Sequence, residues 1–349
     1  FWLKSALAQS FYGGGGGSGA TAAARAGDGA GRARSVVRGG DRPQGRDGSA
    51  VLGPGARLNR EITARRSAEE IFAICEGGLA EFELVNLVTA FHRIAKLQAG
   101  RRDFSTDTRL APLLGPLRLR SCEATSQHLA NTAWALAQLR LRDWPLLASL
   151  SAEARARITS AKPQELASTA WSCAKLRFQD EPLLASIASA ARRISTDFDA
   201  QSLTNTAWSC AALLFCSQPL LASISAAALR TCASCRSQEF SNLAWAGAKL
   251  QYVDETLRNA IAAASLAKIT DFQPNHLSCL AWSFAKCKFC HPPLLDAISS
   301  EAIPTIADLG EQQLSNIAWS LAGLLLRDAP LLAAISEASL PSITAYSVQ

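Results

Sequence analysis

The sequence predicts an all-α fold, an α-solenoid built from tandem helix pairs, and three observations carry that prediction. Six tryptophans stand 37 residues apart without a slip, at Trp134, Trp171, Trp208, Trp245, Trp282 and Trp319, each preceded by alanine. Apolar residues between them recur at spacings of three and four, which is helical and not strand-like. A second helix start, with an Asp-type cap and a first-turn proline, follows each tryptophan at a fixed distance. A period in this range marks a stacked-repeat protein, whose core is a stripe running down the stack. Such arrays are usually binding surfaces, and their chemistry, when present, sits on an appended domain.

The elements follow in chain order. Residues 1–66 read as a disordered Gly/Ala/Arg-rich segment: Gly13–Gly17 are five glycines, and Arg25, Arg32, Arg34 and Arg38 follow among few acids. Such composition buries too little apolar surface to offset chain entropy. It is either a linker or part of an organelle-targeting sequence, which is Arg- and Ser-rich and acid-poor. Ser67-Ala68-Glu69-Glu70 has the form of a capping box and opens the folded part. Residues 67–126 read as a degenerate capping repeat, in which Thr89–Leu97 parallels Asn131–Leu139 at a spacing of 42 residues instead of 37.

Six tandem repeats fill 127–349. Numbering columns from Gln127, columns 3 to 16 are expected to form a first helix, with apolar stripes at columns 3, 6, 10 and 13 and at columns 4, 8, 11 and 15. The second stripe is centred on the tryptophan, so every indole is expected to lie largely buried between helices. Small residues, almost always alanine, at columns 7 and 11 let neighbouring helices approach. Column 17 is Asp143, Asp180, Ser217, Asp254, His291 and Asp328. A side chain of this kind accepts hydrogen bonds from the orphan first-turn N–H groups of the second helix. Column 19 is proline in five of six units, where no N–H is lost.

Composition narrows the function. The net charge is +6, yet residues 127–349 hold 17 Lys+Arg and 17 Asp+Glu, so the excess lies in residues 1–126. A neutral array is not the footprint of a strong nonspecific nucleic-acid binder. No apolar run approaches the length of a membrane span. The chain has no methionine and ends inside or just after a repeat, so it reads as a piece of something longer. Its ten cysteines are scattered, with Cys173 and Cys210 in one apolar column, which suggests buried free thiols in a reducing compartment.

The units Gln164–Leu176 and Leu129–Ala137 resemble octotricopeptide and heptatricopeptide repeats, and the 37-residue length fits the heptatricopeptide variant better. The resemblance covers about 127–349, with a weaker echo at 84–126. It implies an α-solenoid that binds single-stranded organellar RNA, in mitochondrion or plastid, and acts in RNA stability, processing or translation. Some members carry a C-terminal RAP domain, which is not seen here.

With the apolar stripes removed, columns 2, 5, 9 and 12 remain as the ligand face. The RNA-binding set is then Asn131, Gln138, Ser168, Ser172, Lys175, Ser202, Asn205, Ser209, Asn242, Lys249, Ser283, Lys286, Asn316 and Ser320. A repeated small polar residue beside a varied one is how a one-base-per-repeat reader is built, and lysines on the same face meet phosphates. The competing reading is structural: column 5 bonds a neighbouring backbone and column 2 is solvated surface.

No cofactor, metal or catalytic residue is expected, and the chain is read as not an enzyme. Cys287–His291 has the CxxCH form of haem attachment, but its positions are ordinary repeat columns and no methionine is present as axial partner. Cys232 and Cys235 lie in another repeat, so a shared zinc site is not expected. Gly13–Gly17 lacks the lysine of a phosphate loop, and the four histidines are far apart. The alternative to RNA binding is a protein-interaction scaffold, which the neutral array favours.

Overall fold

The computed structural model describes residues 53–98 and 107–346, with side chains as far as Leu340. Among these residues every regular element is helical. A first layer holds α1 (Pro54–Ala64), α3 (Leu84–Gln98), α5 (Ser126–Gln138), α7 (Pro163–Leu176), α9 (Ala200–Ala212), α11 (Ser237–Lys249), α13 (Pro274–Lys286) and α15 (Glu311–Gly323). These pack in chain order, each against the next. The alternating helices are α2 (Ala68–Gly78), α4 (Ala111–Leu119), α6 (Trp144–Ala156), α8 (Glu181–Arg193), α10 (Gln218–Thr231), α12 (Glu255–Ala267), α14 (Pro292–Ala302) and α16 (Ala329–Tyr346). Of these, α4 to α14 pack in series as a second layer. The architecture is an all-α solenoid.

Residues 1–52 lie outside the described residues, and so does the insertion at 99–106. Within the segment read from composition as disordered, Pro54–Ala64 is instead a helix. It is anchored by Ile62, fully buried, and by Asn86, whose side-chain amide donates to the Gly55 carbonyl at 2.8 Å and to Asn59 Oδ1 at 2.9 Å. Composition could not reveal this, because the stabilising partners are 27 to 31 residues away in α3.

First-layer helices approach one another far more closely than second-layer helices do. Columns 7 and 11 are alanine in all six units, and column 4 holds only Ala, Ser or Thr. Small side chains at both contact edges draw the first layer together, so the ribbon curves with that layer on its concave side.

The expected first helix at columns 3 to 16 is displaced. In the first unit it runs Ser126–Gln138, starting three residues earlier and ending four earlier. The stop is a left-handed residue at column 14 in every unit: Arg140, Arg177, Leu214, Gln251, Lys288 and Leu325 have φ between 52° and 58°. The following N–H then closes a Schellman loop onto the carbonyl five residues back, as in Phe178 to Cys173 at 2.8 Å and Leu326 to Leu321 at 2.9 Å. None of the six is glycine, the usual signal for this conformation, so residue type does not mark the stop.

The second helices start where the caps predict. Asp143, Asp180, Asp254 and Asp328 each accept from the N–H three residues on, at 2.9–3.0 Å. In Asp180, Asp254 and Asp328 the second carboxylate oxygen reaches back one repeat. Ser151 donates to Asp180 at 2.5 Å and Ser225 to Asp254 at 2.5 Å, and Ser299 donates to Asp328. One side chain thus caps its own helix and ties it to the preceding pair.

Candidate functional site

A residue on an α-helix turns about 100° from its predecessor, so columns 1, 5, 8 and 12 fall on one stripe. In the first-layer helices this stripe is the open one. Column 1 is always an amide: Gln127, Gln164 and Gln201 are exposed, and Gln238, Asn275 and Gln312 are half-buried. Column 5 is half-buried in Asn131, Ser168, Asn205 and Asn316. Column 8 is the tryptophan, and column 12 supplies Gln138, Lys175, Lys249 and Lys286.

The tryptophans therefore stand at the boundary between the core and the concave face, some inside the core and others partly open. Trp171 and Trp208 are buried, Trp134, Trp245 and Trp282 are half-buried, and Trp319 is 47% exposed. Their rings lean toward one another from repeat to repeat. Trp208 and Trp245 stack with centroids 6.3 Å apart, and Trp282 and Trp319 lie 6.4 Å apart. His92 takes the tryptophan column in α3 and meets Trp134 at 4.8 Å. Burial, with Lys96 and Arg93 nearby, holds the His92 pKa below its ordinary value, which favours the neutral ring.

The open stripe is turned by roughly half a right angle from columns 2, 5, 9 and 12. Columns 5 and 12 lie on both stripes, although Asn242 of column 5 is buried, while columns 2 and 9 lie off the open one. Ser172, Ser209, Ser283 and Ser320 are buried, and each hydroxyl donates to the carbonyl four residues back, at 2.5–2.7 Å. Ser202 and Asn242 are buried as well. These six side chains face helix neighbours and are withdrawn from the ligand set. Column 1, an unbroken run of amides visible in the sequence, also lies on the open stripe.

Basic residues recur at one end of the first-layer helices. Every first-layer helix except α9 has Lys or Arg in its last turn or just after it, among them Lys96, Arg140, Arg177, Lys249, Lys286 and Arg327. At the opposite end acids and bases mix: Glu165, Asp197, Asp199, Glu239, Asp271 and Asp308 stand among Lys162, Arg236 and Lys268, and Arg236 pairs with Glu239 at 2.6 Å. The Asp caps of the second helices share the basic end, but their oxygens are bonded to N–H and hydroxyl groups as described above. An array with no net charge thus presents a basic row along one margin of its concave face. Lys175 Nζ lies 5.6 Å from the Trp171 ring centroid, and burial together with Arg140 lowers its pKa. An anion there would relieve both costs.

The cysteines sit apart from this face or inside the layers. Burial pushes Cys173, Cys210 and Cys279 up to about 12, and Cys75 and Cys235 to about 11. Cys232 and Cys235 flank a 3₁₀ turn after α10, whereas Cys287 and Cys290 follow α13. The described residues hold no group of three or more His, Cys, Asp or Glu placed to bind a metal, and no helix long and apolar enough to cross a membrane.

Residues 112–255 match the family model of the RNA-editing substrate-binding complex 6 protein. The match runs from α4 to the first residue of α12 and takes in three consecutive tryptophan repeats in full. The family is an RNA-associated one by its description, and it is not described as octotricopeptide or heptatricopeptide. No curated protein matches the chain.

Proposed function

We propose that the chain binds single-stranded RNA along its concave face and acts as a binding module, not as an enzyme. The observation that carries this reading is the open stripe of the first-layer helices, which sets an amide and an indole in line in every repeat, joined in four of the six by Gln138, Lys175, Lys249 or Lys286. Indole faces stack bases regardless of sequence, and lysines beside them meet phosphates. The match to an RNA-editing complex family supports the reading over 112–255. The resemblance to octotricopeptide and heptatricopeptide repeats extends it to an organellar role, in mitochondrion or plastid, in RNA stability, processing or translation.

The test is selection from a randomised single-stranded RNA pool, followed by titration of an enriched sequence at several salt concentrations. Replacing Lys175, Lys249 and Lys286 together by Ala should weaken binding without loss of helical circular dichroism. The slope of log affinity against log salt should flatten by about 2, since each phosphate contact to a single strand contributes roughly 0.7. A pool that enriches nothing would remove the RNA reading and leave the protein-scaffold reading in its place.

A further inference from the structure

Column 21 breaks its pattern once. It is Leu147, Leu184, Leu221, Leu295 and Leu332 in five units and Arg258 in the fourth. The first four leucines are buried, while Leu332 of the last unit is 41% exposed, so the column packs against the helix pair that follows. Arg258 stands near the start of α12, at the margin where the first-layer helices end. Its guanidinium carbon lies 5.6 Å from the ring centroid of Phe289, in the connection after α13 of the next repeat. Leucine makes this contact between repeats in the other units, so stacking alone gives no reason for a cation.

The guanidinium is left without an acceptor. Nε and Nη2 are buried and make no hydrogen bond, although the residue as a whole is only half-buried, so solvent reaches it. Asp254, one turn earlier, feels the Arg258 charge, but its oxygens are taken by the Leu257 N–H at 2.9 Å and by the Ser225 hydroxyl. Among the described residues no carboxylate forms an ion pair with Arg258. A partly buried cation in this state lowers stability relative to a packed apolar side chain. A guanidinium has donors and no acceptor, so the group that satisfies it must accept, and an anion does so best.

Two lysines of the next repeat complete the cluster. Lys286 closes α13, and Lys288 is the left-handed residue that turns the chain after it, with φ 52°. Both are exposed. Burial raises the Cys287 pKa, and Arg258 and Lys286 both act to lower it, so the two charges reach the same thiol. Phe289, the ring against Arg258, follows Lys288 directly. Cations from both layers thus meet at one connection. Their combined charge exceeds what one carboxylate neutralises, whereas a phosphate offers several oxygens to a guanidinium fork and to ammonium groups together. We infer, resting on the RNA reading above, that Arg258, Lys286 and Lys288 hold a backbone phosphate of the bound strand where it passes between the fourth and fifth repeats.

The test is Arg258→Leu in the full chain, with stability and RNA binding measured side by side. Leucine is the residue that the column carries in the other five units, so the urea midpoint should rise. Affinity for a mixed-sequence single-stranded RNA, read by fluorescence anisotropy, should nevertheless fall at least about tenfold. The slope of log affinity against log salt should flatten by about 0.7, the share of one single-strand phosphate contact. Arg258→Gln removes the charge and keeps a polar side chain, and it should give the same loss and the same slope even if the leucine variant folds poorly. A purely structural arginine gives the opposite split, a lowered midpoint with RNA binding unchanged. Unchanged affinity and slope in both variants overturn the anchor while RNA binding itself stands. So does a urea midpoint that inorganic phosphate raises in the parent but not in Arg258→Leu while RNA binding is unaffected, since the site then takes free phosphate. No RNA binding by the parent chain removes the RNA reading and the anchor together.

Discussion

Leu325 is 90% exposed and Leu214 is 64% exposed, and both hold a left-handed backbone conformation at the end of a first-layer helix. An L-residue with a Cβ is strained there by about 1–2 kcal/mol, and neither side chain recovers the difference by packing. Glycine removes the strain but adds freedom to the unfolded chain, which offsets part of the gain. Leu214→Gly and Leu325→Gly should therefore each stabilise the array by about 0.5–1 kcal/mol, read from the shift in urea midpoint. A lowered midpoint would show that the leucines make contacts outweighing the strain. The same two positions show where residue-level reading runs out. Asp143 and Asp254 announce their caps because residue type and role coincide, but Leu325 gives no sign that the helix has stopped. Ser209 misled in the opposite direction. A hydroxyl on a helix looks available to a ligand, yet here it donates to the Asn205 carbonyl at 2.6 Å inside the layer.

The link between Ser225 and Asp254 belongs to the scale of elements. Where column 25 is serine, at Ser151, Ser225 and Ser299, the cap 29 residues later is Asp. Where it is alanine, at Ala188 and Ala262, the cap is Ser217 or His291. Among these five caps a carboxylate stands only where a hydroxyl from the preceding repeat satisfies its second oxygen, whereas Asp143, with Leu114 at the matching position, keeps the cap bond alone. The same alternation runs through the first helices, whose Glu165 and Glu239 also stand in alternate units, so the elements stack with a two-repeat rhythm. Column-by-column reading found the caps and hid the rhythm, because the partner lies in another column of another repeat. Asp254→Ala should cost about 2–3 kcal/mol, combining a lost cap with a lost hydrogen bond to a charged group. Ser225→Ala should cost about 1 kcal/mol. In the double variant the costs should fall short of their sum by at least about 0.5 kcal/mol. Strict additivity in urea unfolding would mean that the two side chains act independently.

At the scale of the whole molecule, the repeat count and the pairing of helices were legible because they follow from periodicity alone. The direction of the ligand face was not, since it depends on whether tryptophan is core or lining, and a large apolar residue at helical spacing fits either. The three-dimensional answer also explains why the six tryptophans are not equivalent. A continuous buried core runs from Ile62 to Ile298, and a separate smaller one spans Ala302 to Ile335. In a solenoid each unit is stabilised by its neighbours on both sides, so stability follows local packing and not the fold as a whole. Trp208 is 3% exposed, is stacked on Trp245 and lies within the continuous core, whereas Trp319 is 47% exposed at the edge of the smaller one. Truncating Trp208 to Ala should cost about 3–5 kcal/mol, as for other buried aromatic residues, because the helices around it cannot close the gap. Trp319→Ala should cost less than half as much, since about half of its surface is already in water. Amide hydrogen exchange of the parent chain should show the same gradient, with α15 and α16 opening well before α7 to α11. Equal costs for the two substitutions, or uniform protection along the array, would mean that the repeats unfold as one cooperative block and that the break in the core at Ala302 carries no energetic weight.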